Sequence, residues 1–99
     1  MELEIKGVHF DVKDETREFI EAKLEKLDFA KQYIVDLHFT LTKENPQYNA
    51  EVKLHLKWGH NSVIKVDAFD LHEAINSAID KLDHKVRKEH DKMTEHKGP

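Results

Sequence analysis

The 99-residue chain has no cysteine, two prolines, three glycines and one tryptophan, and its only serines are Ser62 and Ser77. Each shortage removes a class of chemistry. Without cysteine there is neither a disulfide framework nor a thiolate zinc site. Isolated glycines at Gly7, Gly59 and Gly98 cannot cradle a phosphate, and neither serine sits in a nucleophile-elbow context. Eight histidines do not supply what is missing, because no HxxxH or HExxH spacing occurs among them. No apolar run approaches membrane-spanning length, and the opening MELEIKG lacks the basic start and apolar middle of a signal peptide. The expectation is a cytoplasmic protein that is not an enzyme, with no cofactor, no metal site and no membrane partner.

What the chain does have is charge. Charged residues make up 36% and hydrophobic residues 38%, with a mean hydropathy of -0.74, which suits one soluble domain with a thin two-layer core. The formal net charge is -4 and the pI is about 6.0, a balance that argues against unspecific attraction to nucleic acid. Any polyanion site must therefore be a local patch. Acids on a far face are largely screened from such a patch beyond about 8 Å at physiological salt.

Hydrophobic periodicity sets the order of elements. Glu2 to Val8 alternates as a half-buried strand, with Leu3 and Ile5 on one side. From Asp14 the period becomes helical, through Thr16, Phe19, Ile20, Leu24 and Leu27, and predicts a first helix ending near Phe29 or Ala30. Ile34 to Thr42 alternates again, with Val35, Leu37, Phe39 and Leu41 inward, until Lys43 to Gln47 breaks the pattern. Tyr48 to Lys57 and Ser62 to Asp67 are two further strands, separated by a turn at Trp58 to Asn61 whose tryptophan is expected to cap the edge of the core, the alternative being to stack on a base. Short loops make the last three strands a meander, while a right-handed crossover sets the first strand parallel beside one of them. Both helices then pack on one face, and the other face, carrying His38 and His55, is left in water.

The second helix, Asp70 to Met93, is the clearest element. Leu71, Ala74, Ile75, Ala78, Ile79, Leu82 and Val86 share one face, and Asp70 with Glu73 forms an acidic version of the capping box. Rotating about 100° per residue away from that face brings Lys81, Lys85, Lys88 and Lys92 onto one flank. Lys23 and Lys26 flank the first helix in the same rotational sense. A line of lysines repeating at about 5–6 Å per turn can follow a phosphate backbone. The alternative is a solvated face whose lysine stems cover apolar neighbours. Residues 94–99 are expected to be a disordered tail beyond a single domain of residues 1–93.

Three groups of residues resemble one family. They are Ile5-Lys6-Gly7 in the first strand, Arg17-Glu18-Phe19 with Ala22-Lys23-Leu24-Glu25-Lys26-Leu27 in the first helix, and Asp70-Leu71-His72-Glu73-Ala74-Ile75-Asn76 leading into Ile79-Asp80-Lys81-Leu82. In order and spacing they resemble the short ribosome hibernation-promoting factors and ribosome-associated inhibitors, over Met1 to about His96. The resemblance implies an α+β fold, β-α-β-β-β-α, with a four-stranded mixed sheet and two helices on one face, a dsRBD-like two-layer sandwich. It also implies a non-catalytic translation inhibitor that binds small-subunit rRNA near the decoding centre and blocks mRNA and tRNA. Such a protein would bind no DNA and be a monomer off the ribosome. Residue by residue, the resemblance points to Lys23, Lys26, Lys81, Lys85, Lys88 and Lys92 as phosphate contacts, with His84 and Arg87 beside them. His72 stands where tyrosine is usual and His84 where arginine is usual. A second reading is a divergent domain of the same fold that binds an acidic protein partner. Continuity of the lysines in three dimensions separates the two.

Overall fold

A computed structural model of the chain describes residues 1–57 and 59–95, with side chains described as far as Lys92. Four alternating strands, β1 (Glu2–Val8), β2 (Ile34–Glu44), β3 (Gln47–Leu56) and β4 (Asn61–Ala68), lie side by side in the order β1-β2-β3-β4. β1 runs parallel to β2, with Ile5 opposite Phe39, and the other neighbours are antiparallel. The parallel pair needs a crossover, which α1 (Asp14–Lys23) and a following 3-10 helix (Leu24–Tyr33) supply. α2 (Leu71–Glu95) then runs back along β4 and β3 on the same face as the crossover. The architecture is the mixed two-layer sandwich expected from the order of elements.

The core lies between these layers. Phe39, Leu41, Val52 and Leu54 rise from the sheet to meet Ile20, Leu27, Ile75, Ile79, Leu82 and Val86 from the helices, and all are fully buried. Each such side chain contributes about 1.5–3 kcal/mol relative to exposure. Helix placement is further fixed by Arg17, whose Nη1 donates to the Ile5 carbonyl at 3.2 Å, and by Asp70, which accepts the Glu73 N–H at 3.0 Å as the α2 cap. Gly7 lets the chain turn back over β1. A Cβ there would stand 2.5 Å from the Phe10 carbonyl oxygen and 2.9 Å from the Val12 side chain.

Two local expectations are corrected. The first helix is α-helical only to Lys23; Leu24–Tyr33 is 3-10. Its buried residues, Leu24, Leu27 and Ala30, recur every third position, which is the period at which side chains eclipse in a 3-10 helix. Val35, expected inward, is 37% exposed, and Ile34 is buried in its place. The β2–β3 register shifts between Ile34 and Asp36, and a bulge of this kind reverses the facing of the strand before it. The β2–β3 pairing also continues to Glu44 opposite Gln47, beyond the expected strand ends, and α2 extends to Glu95. Trp58 and residues 96–99 lie outside the described residues, and with them the tryptophan cap and most of the expected tail.

Candidate nucleic-acid interface

α2 buries one stripe and leaves two flanks. On one flank it overhangs β4, and the two form a groove of about 760 Å³. Ser62, Val63 and Ile64 make the β4 wall, while Ser77, Asp80, Lys81, His84, Lys85 and Lys88 make the α2 wall. Four of the eight sequence-derived candidates thus share one concave surface. Lys81, His84 and Lys88 are exposed and have no ion pair among the described residues, whereas Lys85 lies 3.5 Å from Glu89. Lys92, one turn further on, also approaches Glu89, at 3.8 Å. The walls suit an extended polyanion: cationic tips along one side, hydroxyls of Ser62 and Ser77, and an apolar ledge at Val63 and Ile64.

The remaining candidates sit elsewhere. Arg87 is turned about 160° around α2 from Lys85, pairs with Asp83 at 3.0 Å and lies 4.4 Å above the Phe29 ring of the 3-10 helix. Lys23 stands 5.5 Å over the Phe19 ring. Lys26 donates to Asp80 at 2.8 Å. Asp80 is therefore the boundary between two basic regions, because it both lines the groove and binds the lysine of the neighbouring element. The hydrogen bond from Lys26, then the Lys26 charge and more weakly that of Lys23, hold the Asp80 carboxyl below the usual aspartate range. The lysines of the two helices do not form one unbroken line: Asp80 interrupts them, an outcome that on the test of continuity counts for the acidic-partner reading and against the rRNA one.

Several contacts were not visible in the sequence. His72 stacks on Phe19, and His90 meets both Phe29 and Tyr33, so histidines join the crossover to α2 along its length. The β4 wall of the groove also went unmarked, although the alternation of an edge strand could have shown Val63 pointing outward. On the open sheet face, His38 bridges Glu4 at 3.3 Å and Asp36 at 3.4 Å. No group of three or more histidines or carboxylates suited to a metal ion occurs among the described residues.

Comparison with known proteins gives this arrangement its family. The model of the Sigma 54 modulation protein / S30EA ribosomal protein family matches residues 3–94. The chain belongs to this family. Among S30EA relatives, the ribosome hibernation promoting factor of Escherichia coli K12 is 29% identical over 96 residues, covering 97% of this chain and 100% of that one. The factor of the same name from Azotobacter vinelandii is 30% identical over 95 residues, covering 96% and 88%. The N-terminal domain of Thermus thermophilus Protein Y superposes with a TM-score of 0.79 at 25% identity, over 89% of this chain and 98% of that one. A ribosomal subunit interface protein from Coxiella burnetii shares the fold, with a TM-score of 0.84 at 18% identity over 92% and 99%. The S30EA fold is therefore present across nearly the whole described chain.

Proposed function

We propose that this S30EA-family protein is a non-catalytic ribosome hibernation factor that binds small-subunit rRNA near the decoding centre and blocks access of mRNA and tRNA. The observation that supports this reading is the convergence of Lys81, Lys85 and Lys88 on one groove in a family whose relatives are named for ribosome hibernation. Binding is electrostatic: each ammonium group that meets a phosphate releases a condensed counterion, so affinity falls as salt rises. The three lysines concentrate positive charge on one wall, which they share with Asp80, with Glu89 beside Lys85, in a chain whose formal net charge is -4. Lys23 and Lys26 form a second contact region across Asp80, with Lys26 available once rRNA phosphate competes with the aspartate. Lys92 and His84 extend the first region, and Arg87 serves mainly to hold α2 to the 3-10 helix.

Sedimentation with ribosomes tests the reading. The wild-type chain should pellet with small subunits at low salt and be released at high salt. Replacing Lys81, Lys85 and Lys88 together by glutamate should abolish pelleting while leaving the circular-dichroism spectrum intact. Retained binding by that folded triple variant would sink the mechanism.

A further inference from the structure

The groove has a second property that positive charge does not explain. β4 is an edge strand, hydrogen-bonded to β3 on one side and to no strand on the other among the described residues. Its outer edge therefore presents a row of unpaired N–H and C=O groups. The sheet is also incompletely covered there. Inward residues of β3 such as Ala50, Val52 and Leu54 are fully buried, whereas Ile64 and Val66 of β4 pack against the core but are only partly buried, and Val63, on the other face, is 55% exposed. One more strand is what this edge lacks.

We propose that the β4 edge accepts an extended acidic peptide as a fifth strand, with its carboxylates held by Lys81 and Lys85 and its apolar side chains covering Val63. The spacing supports this. α2 starts just after β4 ends and runs back along it, so residues 77–88 stand over Ser62 to Ile64. Lys81 and Lys85 are separated by about 6.0 Å along the helix, and alternate side chains of a strand by about 6.8 Å. Carboxylates at positions i and i+2 of the added strand, facing α2, would meet the two ammonium groups in turn. The intervening residues would face the other way, where β-branched side chains pack beside Val63. Main-chain hydrogen bonds would supply affinity and the alternating side chains specificity.

Charge chooses between occupants. A second copy of this chain pairing β4 to β4 would bring Lys81, Lys85 and Lys88 of both copies together, so the lysine flank works against self-association while favouring an acidic strand. The inference does not rest on the rRNA reading, but the two ligands would share lysines and exclude each other.

The probe is a capped, fluorescent eight-residue peptide alternating glutamate with valine, titrated into the full chain by anisotropy. Binding should weaken about tenfold, or 1.4 kcal/mol, in Lys81→Glu/Lys85→Glu and to a similar degree when a central valine of the peptide is replaced by proline, which removes a ladder donor. Amide exchange of residues 62–66, read by NMR, should slow in the presence of the peptide. Equal binding of the proline peptide, or unchanged exchange in β4, would overturn the proposal. So would an RNA oligonucleotide protecting the same amides, because the site would then be a lysine patch indifferent to backbone type. A wild-type chain that pellets with ribosomes but ignores the peptide rejects this inference alone; one that takes the peptide but not ribosomes rejects the hibernation reading alone.

Discussion

The ring of Phe19 lies flat against that of His72, with 4.4 Å between centroids and 11° between planes, and so joins α1 to the first turn of α2. The position where the family resemblance makes tyrosine usual thus keeps an aromatic ring for packing. His72→Ala should lower stability by about 0.5–1.5 kcal/mol, the usual worth of a ring pair. His72→Tyr should restore it. Chemical denaturation of the three proteins provides the comparison, and equal midpoints for all three would show that the stack carries no weight.

Asp80 governs how Lys26 is used. Its carboxyl is held below the ordinary range, so the contribution of the Lys26 pair is present above the unfolded value of about 3.9 and is lost as pH falls through the lower folded value. The melting temperature of Asp80→Asn should lie below that of the wild type at pH 7, and the gap should close in strong acid. The same substitution removes the acid between the two basic regions, so ribosome affinity should rise. Weaker pelleting of Asp80→Asn would show that the pair positions Lys26 instead of restraining it.

Arg87 and the groove lysines separate packing from binding. Arg87→Ala removes a cation lying over Phe29 and an i,i+4 pair with Asp83, and should cost about 0.5–1 kcal/mol of stability. Ribosome pelleting should be almost unchanged. A loss equal to that of Lys88→Ala would instead place Arg87 in the interface.

His84 lines the groove where the family resemblance makes arginine usual. His84→Arg adds a permanent charge beside Lys81 and Lys85, so the log-log salt dependence of ribosome binding should steepen by about one. The effect would be read by pelleting across a salt series at constant pH. An unaltered slope would mean that the histidine ring does not face phosphate.

Much of this was legible in the chain itself, for identifiable reasons. The α2 stripe from Ala74 to Val86 is buried as its spacing predicts, because a long amphipathic helix repeats its signal several times. Val35 misled because a bulge is a single local event that leaves the alternation on either side intact. The lysine flank of α2 was visible from rotation alone, yet its division from Lys23 and Lys26 was not. That division depends on Asp80 meeting a side chain 54 positions away, and no periodicity carries such a pairing. The β4 wall of the groove was legible only in part: alternation marks Val63 as outward, but which strand stands at the sheet edge beside α2 is a property of the sheet, not of any one strand.

The 3-10 crossover bears on which lengths of chain the fold can tolerate. Because Leu24, Leu27 and Ala30 face the core at every third position, adding or deleting one residue within Leu24–Tyr33 would swing everything after it by about a third of a turn. Three residues at once would return the same face to the core. Length variation in this segment should therefore come in whole turns, as it does in a screw thread.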